Sequence, residues 1–266
     1  MKIIVCVKQV PDTSGKVAVN PDGTLNRASM ATITNPDDLN AVEAALVLKE
    51  QTGAEVVVVC MGPPPAEGML RECLARGCDR AVLVSGREFG GSDTYATSQI
   101  LAAAINKIGV EAEDIVMCGR QAIDGDTAQV GPQIAEKLGL PQISYAADIQ
   151  LDGNVVTVKR MLEDGYMTVK TQTPCLITCI KELNAPRYMN MNGILSTYSK
   201  QLDVYDYEKL KDHPLIDAST IGLKGSPTNI FKSFTPPQKG VGMMLEGSGK
   251  ETCEELVAIL TKKHII

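Results

Sequence analysis

The 266-residue sequence has no tryptophan, only 3 phenylalanines and 7 tyrosines, and just 2 histidines. So few rings exclude a core built on aromatic packing and leave it to aliphatic side chains, methionine and other small residues. With His213 and His264 both in polar or terminal stretches, a zinc centre and a His-based catalytic triad are disfavoured, and no metal ligands are assigned. Excess positive charge is lacking as well. Lys and Arg number 26 against 32 Asp and Glu, a net charge of −6. That balance argues against a nucleic-acid binder and against a polybasic membrane-surface protein. Long apolar runs are missing too: the opening IIVCV (3–7) is far too short for a secretory leader or a spanning helix. A cytoplasmic protein with no membrane segment is therefore expected. Neither GxxxxGK[ST] nor a GxGxxG after the first strand occurs, which disfavours Walker-type NTPases and standard Rossmann dehydrogenases.

Cysteine is plentiful, with 8 residues, but no CxxC spacing occurs. Cys6, Cys60, Cys118, Cys175 and Cys179 lie in apolar, strand-like runs, so reduced thiols acting as small core hydrophobes are expected.

The first 140 residues alternate two patterns. Apolar runs at 3–7, 56–60, 81–84 and 115–118 read as strands buried on both faces. Residues 38–50, 66–77 and 92–109 carry helical spacing, and Gly53, Gly77 and Gly109 close them. Such alternation predicts an α/β fold, a doubly wound and mainly parallel sheet with right-handed crossovers. Beyond Pro141, short β-rich runs at 144–151, 154–161, 166–172 and 175–180, with turns at DGN (152–154) and EDG (163–165), predict an antiparallel extension. Residues 184–250 are rich in proline and glycine, and 250–264 reads as an amphipathic helix. A domain over 1–205 and a C-terminal arm over 206–266 that embraces a partner are expected.

The most informative stretch is GRQAIDGDTAQVGPQIAEKLGLPQ (119–142), which follows the fourth strand. In α/β proteins an anionic ligand sits at such a junction. Asp126 and Gln129 have the spacing of a capping pair, and Pro132, lacking an N–H, places the helix start near 128–129 or distorts its first turn. Gly125, Thr127, Ala128 and Gly131 leave the backbone amides open to a phosphate. Asp124 and Asp126 make poor phosphate partners; they suit loop-shaping caps or acceptors for ribose hydroxyls. A capped helix without ligand remains the plain alternative. GGSDT (90–94) resembles the pyrophosphate loop of ATP-using synthetases but follows the third strand rather than the first. Ser92 and Asp93 there are equally well an N-cap.

The segment GRQAIDGDTAQVGPQIA, together with IIVCVKQVPDT, NPDD (35–38), MGPP (61–64) and ELNAPRY (182–188), resembles the β subunit of electron transfer flavoproteins, in the same order and across essentially the whole chain. The resemblance implies an adenine-nucleotide α-hydrolase-like domain paired with an α subunit that carries FAD. It also implies a nucleotide site at Cys6 and Val7, at Asn35, Asp37 and Asp38, and at Met61 and Gly62. The phosphate loop would comprise Gln121, Asp124, Gly125, Asp126, Thr127, Ala128, Gln129, Val130, Gly131, Pro132 and Gln133. Simple carriers hold AMP in this site as a structural ligand. A second branch of the family holds FAD that takes hydride from NADH and splits electrons between ferredoxin or flavodoxin and a flavin-dependent dehydrogenase. Three features resemble the second branch. Gly125 stands where simple carriers have bulkier Asp or Asn. VNPDGTLNR (19–27) matches the loop over that flavin. REFGGSDTYATS (87–98), with Asp93, Thr94 and Thr97, matches the segment that completes the pocket. No side chain is assigned an acid–base role. The resemblance further implies that residues 182–195 dock the dehydrogenase through Met189, Met191, Ile194 and Leu195, with Lys200 alone in place of a lysine-rich run; packing of these apolar residues against the chain's own tail is the plain alternative.

Overall fold

A computed structural model describes residues 1–12, 31–229 and 240–266. The first strand is β1 (Lys2–Cys6), followed by a two-stranded ribbon, β2 (Gln9–Pro11) with β3 (Thr32–Thr34). Strands and helices then alternate through α1 (Pro36–Thr52), β4 (Glu55–Met61), α2 (Glu67–Arg76), β5 (Arg80–Val84), α3 (Thr94–Ile108), β6 (Ile115–Gly119) and α4 (Val130–Leu138). The chain continues through β7 (Gln142–Asp152), β8 (Val155–Met161), β9 (Tyr166–Gln172), β10 (Cys175–Cys179), α5 (Met191–Ser196), β11 (Leu202–Tyr205), α6 (Tyr207–Leu210) and α7 (Gly222–Gly225). Nine strands form one sheet in the order β11-β5-β4-β1-β6-β10-β7-β8-β9. Every pairing from β11 to β7 is parallel, and β7–β8 and β8–β9 are antiparallel. The fold is the expected α/β architecture.

The double winding follows from the period-two pattern of the strands. In β1, Ile3 and Val5 join the cluster built with α1 and α2, whereas Ile4 and Cys6 join the opposite cluster with α3 and α4. Both faces are covered, so these strands read as continuous apolar runs. Each fully buried Val, Leu or Ile contributes about 1.5–3 kcal/mol. Helix ends obey local chemistry. Gly53 closes α1 in the left-handed region at φ 73°, donating its N–H to the Lys49 carbonyl. Asp93 caps α3 by accepting from the Ala96 N–H at 3.0 Å.

Two expectations need correction. The 175–180 run, grouped with the antiparallel extension, is β10. It is wholly buried and lies parallel between β6 and β7, since its unbroken apolar run suits a central position. The stretch beyond 184 is also more regular than expected, because LDVY forms β11 at the far edge beside β5.

All eight cysteines are free, and all but Cys253 are buried. Burial pushes the thiols of Cys6 and Cys60 up to about 12, so at neutral pH they are protonated and unreactive, as core hydrophobes should be. Among the described residues no helix is long and apolar enough to cross a membrane.

Contacts divide the described residues into two units, one holding 1–12 and 31–229 and the other 240–266. In the first, Leu210, Ile216 and Ile221 are buried in the cluster that contains α3. The second contains α8 (Gly249–Lys262), which opens with a complete Ser248–Glu251 capping box and buries none of its residues.

Candidate nucleotide site

The chain runs outward from β1 to β4 and β5 on one side, then returns to place β6 on the other. The carboxyl ends of β1 and β6 therefore mark the topological switch point, where open α/β sheets bind ligands. Asp38 closes the backbone there. Its Oδ2 accepts the Lys8 N–H at 2.8 Å, and its Oδ1 accepts the Gly119 N–H at 2.9 Å. One carboxylate thus satisfies an amide at the carboxyl end of each of the two strands. Asn35 does the same for the next loop: its Nδ2 donates to the Gln121 carbonyl at 2.8 Å and its Oδ1 accepts from the Ile123 N–H at 3.1 Å. Both side chains are buried. The NPDD segment is thus a clamp, with Pro36 fixing the first turn of α1 above it.

Burial raises the Asp38 carboxyl to about 7, against the two amide hydrogen bonds that favour its charged form. The native state therefore holds a proton that the unfolded chain releases near 3.8, and this group makes stability fall as pH rises from about 4 to about 7. Asp38→Asn removes that slope while losing one acceptor. In denaturant titrations at pH 5 and pH 8, the gap in stability between wild type and Asp38→Asn is expected to be wider at pH 5. An equal gap at both values counts against a raised Asp38.

The loop from β6 to α4 is shaped differently from the sequence expectation. The Asp126–Gln129 capping pair does not form. Asp126 Oδ1 accepts from Gln121 Nε2 at 2.8 Å, and Gln129 Oε1 accepts from the Thr94 hydroxyl at 3.0 Å. The reason is backbone shape: Asp126 and Ala128 both sit in the left-handed region, at φ 50° and 53°. Ala128 in this region is a strained position of the sort that clusters at ligand clamps. Gln129 is the N-cap of α4 without a side-chain cap bond, which puts Pro132 in the first turn, where no N–H is needed. The N–H groups of Thr127, Ala128, Gln129, Val130 and Gly131 have no partner within the described residues. Unpartnered amides at a helix start are the kind of donor that anions use.

Glycine is required at two places around this turn. A Cβ on Gly119 would fall 2.4 Å from Asp38 Oδ1 and 2.6 Å from the backbone of Asp37 and Asp38. A Cβ on Gly131 would lie 2.7 Å from Cys118 Sγ, so this glycine sets how closely α4 approaches the sheet. Gly125 is the opposite case: a Cβ there meets nothing within 4 Å.

Asp124 has an evident partner. Lys8 Nζ, on the residue two after β1, contacts both its oxygens at 2.7 and 2.9 Å. Arg120 lies 3.4 Å from Asp37 Oδ2. Met61 ends β4 and Gly62 follows it, its N–H bonded to the Val84 carbonyl at 3.0 Å. Cys6 ends β1, Val7 follows it, and both are buried. Thus Cys6, Val7, Asn35, Asp37, Asp38 and the 121–131 loop converge on one switch point, and Thr94 ties the start of α3 to it. Asp93 has other bonds: besides the cap, its Oδ2 accepts from the N–H and hydroxyl of Thr228 at 3.0 and 2.8 Å. Thr97 lies one turn into α3, its N–H on the Asp93 carbonyl, and Gln133 Oε1 is buried with no hydrogen-bond partner among the described residues. The VNPDGTLNR stretch (19–27) lies outside the described residues. Lys8 is the neighbour that the sequence reading did not assign to the site. Surface hollows lined by Gly139–Pro141 with Thr171–Pro174, and by Met1, Thr52, Glu113, Leu151 and Gly153, lie at the opposite, amino ends of the strands.

Residues 22–209 match the electron transfer flavoprotein domain family. This chain is 48% identical, over its full length and that of the relative, to the electron transfer flavoprotein subunit beta of Clostridium acetobutylicum. The chain belongs to the electron transfer flavoprotein β-subunit family. Over the full length of both chains it is also 68% identical to the acryloyl-CoA reductase electron transfer subunit gamma of Anaerotignum propionicum. Identity to the caffeyl-CoA reductase-Etf complex subunit CarD of Acetobacterium woodii is 50%, again end to end. By their names, the latter two relatives are subunits of reductase electron transfer complexes.

The segment expected to dock a flavin dehydrogenase is anchored at its base. Arg187 donates through Nε to Glu43 at 2.8 Å and through Nη1 to Glu50 at 2.5 Å, while Asn184 and Asn40 exchange hydrogen bonds. Gly193 packs so close to α2 that a Cβ would fall 2.0 Å from the Ala75 carbonyl oxygen. Met189, Met191, Ile194 and Leu195 are all exposed above this base. Lys200 instead caps α2, donating to the Leu74 and Cys78 carbonyls at 2.8 and 2.7 Å.

Proposed function

We propose that this β subunit binds FAD at the β1–β6 switch point, takes hydride there from NADH, and splits or joins electrons. One path runs through the α-subunit FAD to a flavin dehydrogenase and the other to ferredoxin or flavodoxin. The observation that carries this reading is the run of five open amides from Thr127 to Gly131 beside Gly125, whose Cα faces open space. Those donors fit a phosphate, and the open space suits a ligand larger than a mononucleotide.

When bound, the flavin supplies the hydride acceptor and the one-electron chemistry. The chain's own residues bind and orient. Asp38 and Asn35 fix the strand ends, and Gly131 lets α4 present its amides at close range. The protonated thiol of Cys6 adds no competing nucleophile or redox group. Met189, Met191, Ile194 and Leu195 form an exposed apolar surface for the dehydrogenase, with methionine providing an adaptable contact. The relatives named for acryloyl-CoA and caffeyl-CoA reductases support a dehydrogenase partner that acts on an unsaturated acyl-CoA thioester.

Counting cofactor in the complex co-purified with the α subunit tests this. Two FAD per heterodimer, bleached by NADH, are expected. One FAD plus one AMP refutes the redox role and leaves a structural nucleotide.

A further inference from the structure

We propose that Lys8 is a phosphate-binding residue held in reserve by Asp124, and that the diphosphate of a bound dinucleotide takes Lys8 away from that carboxylate. This rests on the nucleotide site proposed above and adds the residue that neutralises its ligand. Lys8 is fixed at the switch point from both sides. Its N–H is bonded to Asp38 at 2.8 Å, and its carbonyl accepts the Asn35 N–H at 2.9 Å. From that anchored backbone the side chain crosses from the end of β1 to the loop after β6, where Nζ bridges both oxygens of Asp124. Asp124 stands three residues before the first of the open amides.

The charge balance makes this lysine necessary. Apart from Asp38, whose burial favours the protonated form, the junction carries Asp37, Asp124 and Asp126 against Lys8 and Arg120, and Arg120 lies 3.4 Å from Asp37. Among the described residues, Lys8 is the one cationic side chain bonded to the 121–131 loop. A diphosphate placed on the amides without a cation would face carboxylates on both sides. Asp124 resolves this by storing the ammonium beside the site when no anion is present. The side chains of Lys8 and Asp124 are 48% and 26% exposed, so their mutual attraction is screened and easily exchanged. Two phosphate groups offer Lys8 more charge and more acceptor oxygens than one carboxylate does. The two partners therefore have opposite roles: Lys8 attracts the ligand and Asp124 competes with it.

The opposition gives the test. Full-length chain, co-purified with its α subunit and stripped of nucleotide, is titrated calorimetrically with adenosine, AMP and ADP as wild type, Lys8→Met, Lys8→Arg and Asp124→Asn. Lys8→Met is expected to weaken ADP about tenfold to hundredfold, AMP less, and adenosine not at all. Lys8→Arg keeps ADP binding. Asp124→Asn binds ADP as tightly as wild type or tighter. If Lys8→Met and Asp124→Asn instead weaken all three ligands alike, the pair is only a strut and the proposal fails. It fails equally if Lys8→Met binds ADP normally. Wild type that binds none of the three overturns the nucleotide site itself, a distinct result from either of these. Melting temperatures without ligand, expected to match within a few degrees, show that the variants fold.

Discussion

Gly125→Asp is expected to empty the nucleotide site while leaving the protein folded. The position is exposed, its backbone is outside the left-handed region, and an added Cβ meets nothing within 4 Å, so the fold has room for a side chain. Neighbouring Asp124 and Asp126 already carry negative charge, and a third carboxylate set beside the open amides would oppose a diphosphate. Like-charge juxtaposition in a binding site costs several kcal/mol, or roughly a hundredfold or more in affinity. Gly125→Ala, which adds bulk without charge, should fall between wild type and Gly125→Asp. Nucleotide extracted from the purified complex measures this directly, with circular dichroism reporting the fold. Normal FAD content and NADH reactivity in Gly125→Asp would place the ligand elsewhere.

Gly119→Ala is expected to have the opposite signature, a loss of stability that precedes any question of binding. Here the new methyl group meets Asp38 Oδ1 at 2.4 Å and the backbone of Asp37 and Asp38 at 2.6 Å. Backbone cannot swing away as a side-chain end can. Either α1 lifts from the sheet or the bonds from Asp38 to Lys8 and Gly119 stretch. Overpacking of this kind costs about 3 kcal/mol, on the order of 10 °C in Tm for a domain of this size. Gly131→Ala should cost less. Its nearest contacts are Cys118 Sγ at 2.7 Å and Thr178 Cγ2 at 2.9 Å, both on side chains. The expected order of destabilisation is therefore Gly119→Ala, then Gly131→Ala, then Gly125→Ala near zero. Thermal unfolding of the three variants reads it, and a Gly119→Ala protein as stable as wild type would mean that α1 does not sit where this clamp requires.

The parts of the fold legible in the sequence are those whose cause is local. Ile3, Ile4 and Val5 are apolar on consecutive residues because β1 is covered on both faces, and that requirement alone distinguishes a central strand. Gly53 and Asp93 mark helix ends by conformational freedom and by a capping oxygen, each acting within four residues. The placement of β10 was not legible: a buried run following two hairpins gives no sign that it will leave them and insert between β6 and β7. The capping pair expected of Asp126 and Gln129 failed for a related reason. Spacing permits such a pair, but left-handed Asp126 and Ala128 turn the side chains toward Gln121 and Thr94 instead.

By itself, then, the sequence determined the alternation of strands and helices, the glycine-bearing turn after the fourth strand, and membership of the flavoprotein family, because periodicity, backbone freedom and motif order are properties of neighbouring residues. Only the tertiary structure decided that Asp38 ties β1 to β6, that Lys8 reaches Asp124 across 116 residues of chain, and that Asp93 is bonded to Thr228. Those contacts join segments distant in the chain, and their partners become defined only once the sheet order has brought the strand ends together.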